Sequence, residues 1–169
     1  MKRKILYIDM DNVLVDFKSA LEIQPKEILD KYSGREDEIP NLFSKMKPMK
    51  DSINCFEILS KQYDTYILST APWNNPTAWS DKVEWVKKHL SDLGYKRLII
   101  SHHKNLNKGD YLIDDRTKNG AGEFEGELIL FGSDKYPDWQ SVCIYLDKVA
   151  EIPIEEFEDF FHDIDLTEN

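Results

Sequence analysis

One pattern recurs five times along the chain: a short run of apolar, often β-branched or aromatic residues, followed in several cases by a helical segment. The runs cover residues 4–9, 65–70, 97–101, 111–114 and 127–131. Nearly continuous apolar runs of this length are typical of strands buried on both faces of a sheet. Helical periodicity covers residues 52–63, 79–93 and 138–146. This alternation predicts an α/β fold with a parallel sheet.

The second of these helical segments shows its periodicity most clearly. Its apolar positions at i, i+4 and i+3 steps are Trp79, Val83, Val86, Leu90 and Leu93, and Gly94 follows them. This spacing places the five side chains on one side of a helix. We therefore predict that this side packs against the body of the protein and that the helix ends at Gly94.

A long connection follows the first predicted strand. Simple strand-to-helix loops have roughly 2–6 residues, whereas here a helix-like stretch at 17–32 and a polar break at 33–40 precede the helix at 52–63. The 169 residues fit one domain at roughly 100–200 residues per domain. We predict a single domain over 1–169 with a small helical cap inserted at about 17–47.

The net charge of −10 is concentrated at the end of the chain, where residues 151–169 hold eight acidic side chains and no Lys or Arg. Phe157, Phe160 and Phe161 interrupt this run at helical spacing, which predicts a short acidic helix or tail. Because an acidic chain is repelled by phosphate backbones, no nucleic acid polymer is expected as a partner. No apolar run has the ~20 residues of a membrane span, and Asp9 and Asp11 interrupt the stretch that a signal peptide would need. The cytoplasm is the expected location.

Polar side chains follow the ends of four predicted strands. They are Asp9 and Asp11, Ser69 and Thr70, His102, His103 and Lys104, and Asp114, Asp115 and Arg116. Ligands of open α/β sheets bind at the carboxyl ends of the strands, so these side chains are expected to converge. Crowded carboxylates need a counter-charge, and Mg²⁺ is the usual cation where phosphate is bound. We predict phosphoryl transfer with Asp9 as nucleophile and Asp11 as general acid and base.

The order of these residues resembles that of a known superfamily. IDMDNV at 8–13 resembles the Asp-x-Asp-x-Val nucleophile motif of haloacid-dehalogenase-type (HAD) phosphatases, and a threonine, a lysine and an Asp pair follow in the same order. The chain is most similar to the 5'(3')-deoxyribonucleotidases through DMDNVLVDF at 9–17, PNLFSKMKPM at 40–49, LSTAPW at 68–73 and LIDDR at 112–116. The resemblance implies a HAD-like Rossmannoid parallel sheet with helices on both faces and a small nucleotide as substrate.

The resemblance also implies roles for the residues at the strand ends. Asp9 would form a phosphoaspartyl intermediate, and Asp11 would exchange protons and offer its backbone carbonyl to Mg²⁺. The metal would further be bound by the acidic pair, with Asp115 as a direct ligand and Asp114 as a ligand or the partner of one.

Phosphate and nucleotide contacts follow from the same resemblance. The Thr70 hydroxyl and the Ala71 N–H would bind phosphate, together with a lysine. Lys104 lies ten residues before Asp114, the spacing of this subfamily, and is preferred to Lys108. Three aromatic residues are expected at the substrate: Phe17, for which cap packing is the alternative, Phe43 in the cap, and Trp73, which follows the phosphate-binding threonine and would line the cleft.

The same sequence features allow other functions. The same chemistry could serve a sugar phosphate or another small monoester. A receiver-like phosphoacceptor is disfavoured because the acidic pair ends the fourth strand and nothing acidic ends the second. A binding module that acts through the acidic tail would leave the strand-end residues unused. His102 and His103 are interpreted as exposed loop histidines, and a homodimer is one of the oligomeric states left open.

Overall fold

Five parallel strands form the central sheet of the computed structural model, which describes residues 2–150. The seven strands are β1 (Ile5–Ile8), β2 (Val15–Asp16), β3 (Lys47–Pro48), β4 (Asp64–Ser69), β5 (Leu98–Ile100), β6 (Tyr111–Asp114) and β7 (Glu127–Leu130). The helices are α1 (Phe17–Leu21), α2 (Lys26–Lys31), α3 (Ser52–Gln62), α4 (Thr77–Leu90) and α5 (Trp139–Val149). The sheet order is β5-β4-β1-β6-β7, so the predicted parallel α/β class is confirmed.

Alternate residues of the central strands face two different layers. Leu6 and Ile8 of β1 join the larger apolar core, which contains the buried faces of α3, α4 and α5. Tyr7 points to the other side, where Leu112 and Phe124 form a second, smaller cluster. Because crossovers between parallel strands are right-handed, the β1–β4–β5 connections lie on one face and the return to β6 and β7 on the other.

The second face of the sheet differs from the expectation of helices on both faces. Among residues 2–150, this face is covered by connections that contain only 3₁₀ turns, Lys104–Leu106 and Ala121–Glu123. The first turn reaches the carboxyl edge, because its Lys104 contacts Asp114 at the end of β6. The loops on this face therefore supply site residues as well as a covering layer.

The buried face of α4 overlaps only partly with the one predicted from its apolar spacing, since Val86 and Leu90 are buried as predicted. Trp79 and Val83 are 39% and 38% exposed, while Lys82 and Trp85 are fully buried. The Trp85 indole N–H donates to the carbonyl of Met46, 2.8 Å away, which orients the helix toward the segment after β2. The helix also ends at Leu90, because Ser91 has a left-handed φ of 43° and begins a 3₁₀ turn. The buried side of the helix thus includes Lys82 and Trp85 in place of Trp79 and Val83.

The predicted insertion begins and ends at a small antiparallel pair. Val15 pairs with Pro48 and Asp16 with Lys47, so β2 and β3 close the base of the segment between them. The helix-like stretch at 17–32 is two short helices, α1 and α2, with Pro25 at the start of the second. The division of the chain into a domain with a cap stays a prediction.

The end of the described chain is α5. Its N-terminus carries a capping box, in which Asp138 accepts from the Ser141 N–H and the Asp138 N–H donates to the Ser141 hydroxyl. The predicted acidic helix or tail at 151–169 lies outside the described residues. Among the helices of residues 2–150, none is long and apolar enough to span a bilayer.

Candidate active site

The loop after β1 directs two aspartates in different directions. The Asp9 N–H donates to the Ile113 carbonyl at 2.8 Å, which continues the pairing of β1 with β6. The chain then turns at Asn12, whose φ is 58°, and the Met10 carbonyl accepts from the N–H groups of Leu14 and Val15. As a result the Asp9 carboxylate forms an ion pair with Lys104, and the Asp11 carboxylate forms an ion pair with Lys82.

Lys104 lies between two buried carboxylates. Its ammonium nitrogen is 2.8 Å from Asp9 Oδ1 and 2.5 Å from Asp114 Oδ2. Burial opposes the charged form of this lysine, but Asp9 and Asp114 together outweigh burial and raise its pKa above the ordinary value. Of the two lysines considered from the sequence, Lys104 is thus at the strand ends, whereas Lys108 is exposed.

Three carboxylates form a cluster that could hold a cation. Asp9, Asp114 and Asp115 each offer one oxygen, and these oxygens lie within 4.8 Å of one another. Burial, followed by the nearby Asp9, raises the pKa of Asp114 to about 6. Burial also raises the pKa of Asp115, against the lowering effect of Arg116. In both groups the largest cause is burial, which disfavours the charged carboxylate.

The acidic pair differs in the oxygens that it has available. Asp114 accepts from the Arg116 N–H with Oδ1 and from Lys104 with Oδ2. Asp115 Oδ1 is buried and accepts no hydrogen bond from the described residues, although the Arg116 Nε lies 3.4 Å away. A set of hard oxygen donors with one buried, unsatisfied oxygen fits a small divalent cation such as Mg²⁺. Asp115 is the better placed of the two to bind it.

The Asp11 carboxylate stands apart from this cluster. Its Oδ1 accepts from the Lys82 ammonium at 2.7 Å, and its side chain is 16% exposed. Burial raises the pKa of Asp11, and Lys82 offsets only part of that rise. The use of the Asp11 backbone carbonyl as a metal ligand stays a prediction.

A cleft of about 440 Å³ opens beside these residues. Its lining contains eight of the residues considered from the sequence: Asp11, Phe17, Phe43, Thr70, Ala71, Trp73, His102 and Arg116. Phe17 and Phe43 contact each other edge to face at 5.9 Å between ring centroids. Trp73 is 80% exposed and lies against His102 at the rim, so His102 is less isolated than a free loop histidine. The Thr70 hydroxyl donates to the Ser101 carbonyl at 2.8 Å and must turn to donate to a ligand.

Four residues near the site were not singled out from the sequence. Lys82 contacts Asp11, and Asn12 donates to Asp115 at 3.5 Å. Glu36 and Asp37, in the predicted insertion, also line the cleft. Lys82 carried a usable signal, because it lies one helical turn from the buried Ala78 and Val86. The other three depend on the course of the insertion and of the β1 loop.

The fold defines a class of protein. The chain superposes on the HAD-hydrolase YfnB of Bacillus subtilis with a TM-score of 0.54 at 12% identity, covering 82% of this chain and 90% of that one. It superposes on a hydrolase of Streptococcus pneumoniae TIGR4 with a TM-score of 0.52 at 12% identity, covering 88% and 98%. The chain therefore has the HAD-like hydrolase fold.

Sequence relatives narrow the class to a family. Residues 36–142 match the family described as "5' nucleotidase, deoxy (Pyrimidine), cytosolic type C protein". A protein of Vibrio phage KVP40 named "Putative 5'(3')-deoxyribonucleotidase" is 60% identical over 144 residues, 85% of each chain. A protein of the same name from Staphylococcus aureus Mu50 is 32% identical over 152 residues, 78% of this chain and 83% of that one. The chain belongs to this cytosolic type C 5'-nucleotidase family and is a phosphomonoester hydrolase, as the resemblance implied.

Proposed function

We propose that the chain is a Mg²⁺-dependent 5'(3')-deoxyribonucleotidase that removes phosphate from nucleoside monophosphates through a phosphoaspartyl intermediate. The observation that carries this proposal is the pairing of Asp9 with Lys104 next to the Asp114–Asp115 pair. A carboxylate, an ammonium group and a cation-binding cluster in one place are what phosphoryl transfer needs. The named relatives and a HAD-hydrolase described as bound to magnesium support the substrate and the metal.

The first step forms a covalent bond to Asp9. A carboxylate oxygen of Asp9 attacks phosphorus, the bond from phosphorus to the nucleoside oxygen breaks, and Asp11 gives that oxygen a proton. Lys104, the Thr70 hydroxyl and the Ala71 N–H hold the phosphate oxygens. Bound Mg²⁺, held by Asp9, Asp115, the Asp11 carbonyl and, directly or through a partner, Asp114, would neutralise phosphate charge.

The second step releases phosphate. A water molecule attacks phosphorus, gives its proton to Asp11, and displaces the Asp9 carboxylate, which returns to its starting state. Asp11 is thus an acid in one step and a base in the next, a role typically worth about 10²–10⁴-fold in rate. Asp11 lines the cleft together with Asn12 and Thr70, which suits contact with both the leaving oxygen and the water.

The nucleoside would occupy the open part of the cleft. Phe17 and Phe43 provide an apolar wall at its inner side, and Trp73 provides an exposed ring at its rim. Aromatic rings of this kind stack on bases of any identity, so they favour a nucleotide over a sugar phosphate.

The direct test is phosphate release from 5'- and 3'-monophosphates of ribo- and deoxyribonucleosides and from several sugar phosphates, with Mg²⁺ and with chelator. We expect Mg²⁺-dependent release that is fastest with deoxynucleotides. Faster release from sugar phosphates would keep the chemistry and refute the nucleotide assignment. No release from any substrate would favour a phosphoacceptor or a binding module.

The intermediate is tested separately. Acid-quenched enzyme treated with borohydride should show reduction at Asp9 by mass spectrometry, because borohydride reduces acyl phosphates but not free carboxylates. Asp9→Asn should keep the fold, release no phosphate and show no reduced residue. Release of phosphate by Asp9→Asn at an appreciable rate would contradict the role of Asp9 as nucleophile.

A further inference from the structure

Lys82 is a buried cation that the proposed chemistry does not use. None of its surface is exposed, although it lies on the 14-residue helix α4 beside the cleft. Moving an ammonium group out of water is costly unless charged or polar partners compensate for it. The charged form of Lys82 therefore depends on the groups that contact its ammonium nitrogen.

The partners of Lys82 come from three separate parts of the chain. Its ammonium nitrogen donates to Asp11 Oδ1 at 2.7 Å and to the Ser69 hydroxyl at 3.0 Å. It also lies 4.6 Å from the centre of the Phe43 ring, within the range of a cation–π contact. The lysine thus joins the loop after β1, the end of β4 and the segment between β2 and β3.

The geometry limits what Lys82 can do in the reaction. Asp11 lines the cleft, whereas Lys82 is fully buried behind it and is absent from the cleft lining. The ammonium group therefore reaches Asp11 and not a substrate in the cleft. It occupies Oδ1, which leaves Oδ2 as the oxygen that can exchange a proton with the leaving group or with water.

We infer that Lys82 is a positioning residue for Asp11: it fixes the carboxylate by binding Oδ1 and so directs Oδ2 to the reacting oxygen. The Ser69 hydroxyl and the Phe43 ring hold the ammonium group in place. This inference rests on the proposed role of Asp11 as acid and base. Proton transfer depends strongly on the placement of the donor, so a displaced carboxylate slows the step even when the fold is intact.

The test uses single-turnover rates with enzyme in excess, which report the first step. With thymidine 5'-monophosphate, Lys82→Met should be slower than the unchanged protein by about 10- to 100-fold. With 2,4-dinitrophenyl phosphate, whose leaving group needs no proton, we expect a loss below about threefold. A loss of equal size with both substrates would mean that Lys82 only supports the structure.

A double substitution gives an independent readout on the nucleotide alone. If Lys82 acts through Asp11, then Lys82→Met should cost less than about threefold when Asp11→Asn is already present. Additive losses would overturn the inference. Lys87→Met, at an exposed lysine of the same helix, is the matched control and should behave as the unchanged protein.

A second variant and the activity of the unchanged protein separate a failure of folding or of the proposed function from a failure of the role of Lys82. If Lys82→Met does not fold by circular dichroism, Ser69→Ala removes one contact of the ammonium group and should show a smaller loss with the same substrate dependence. If the unchanged protein releases no phosphate from either substrate, the proposed function itself is wrong. If it is active and the losses are additive, only the role of Lys82 is wrong.

Discussion

The ammonium nitrogen of Lys104 lies 2.8 Å from Oδ1 of Asp9, with only 3% and 4% of the two side chains exposed. This lysine is a buried cation that faces both Asp9 and Asp114. It holds a carboxylate that is proposed to attack phosphorus, so it contributes both to stability and to the site.

Replacing this lysine should affect folding and activity together. Lys104→Met leaves two buried carboxylates without their cation, and breaking a buried ion pair costs about 3–5 kcal/mol. Removal of one donor to a transition-state oxygen typically costs about 10²–10³-fold in rate. Urea denaturation and steady-state kinetics measure the two effects. Lys108→Met, at an exposed lysine, should leave the free energy of unfolding nearly unchanged and change the rate by less than about twofold. A larger loss of rate in Lys108→Met than in Lys104→Met would favour Lys108 as the phosphate lysine.

Binding of Mg²⁺ should stabilise the fold through Asp115. A ligand at a hundred times its Kd adds about 2.7 kcal/mol, which for a chain of this size raises Tm by roughly 5–10 °C. Asp115→Asn should lose most of this Mg²⁺-induced shift, because the substitution weakens the buried oxygen that has no hydrogen-bond partner in the described structure. Asp134→Asn, the same change at an exposed site, should keep the shift. Equal shifts in the two variants would argue against Asp115 as a ligand.

A side chain at Gly120 should lower the free energy of unfolding for two reasons, the positive φ of this residue and crowding against Asn105. The φ of Gly120 is 81°, and a Cβ would lie 3.0 Å from the backbone nitrogen of Asn105 and closer still to its side-chain oxygen. Gly34 has a similar φ of 78° with nothing within 4 Å of such a Cβ. We expect Gly34→Ala to cost about 1 kcal/mol and Gly120→Ala about 2–3 kcal/mol of unfolding free energy. Similar losses in denaturant melts would show that the crowding at Asn105 relaxes.

Gly120→Ala should also reduce activity. The neighbouring Asn119 carbonyl accepts from the Lys104 N–H at 2.8 Å, so a shift of this turn displaces Lys104. Phosphate release by the Gly34→Ala variant should match that of the unchanged protein. Full activity of Gly120→Ala would show that Lys104 does not depend on the turn.

His89 should make the fold sensitive to acid. Its ring stacks on Trp85 at 4.6 Å between centroids, and its Nε2 is buried with no hydrogen-bond partner in residues 2–150. Burial, with a smaller effect of Lys88, lowers its pKa below the ordinary value of 6.5. Below about pH 6.5 the unfolded chain therefore binds more protons at His89 than the folded protein does. The contribution of the neutral His89 ring to the free energy of unfolding is complete above about pH 6.5 and is lost as pH falls through the pKa of the folded state.

The measurement is the free energy of unfolding between about pH 5 and pH 8. His89→Phe keeps the aromatic stack and removes the titration, so its stability should fall less steeply toward acid. His103→Phe, at an exposed position, should follow the unchanged protein. An unchanged acid slope in His89→Phe would mean that other groups cause it.

The parallel sheet and the residues at its carboxyl edge could be predicted from local patterns in the sequence. Apolar runs that form buried strands are local patterns, and the carboxyl ends of parallel strands meet at one edge whatever the order of the strands. For that reason Asp9, Asp114 and Lys104 could be expected together although β6 lies more than a hundred residues from β1. The family resemblance added roles to positions that the strand pattern had already selected.

Which polar side chains are buried together depends on contacts between distant parts of the chain, and local patterns do not predict them. The side of α4 that faces inward depends on Asp11, 71 residues from Lys82 in sequence, and on the Met46 carbonyl that accepts from Trp85. A helical periodicity records which residues are apolar, but not which distant polar group will neutralise a buried charge. The site therefore follows from the sequence at the ends of the strands, and its support from α4 follows from the packing.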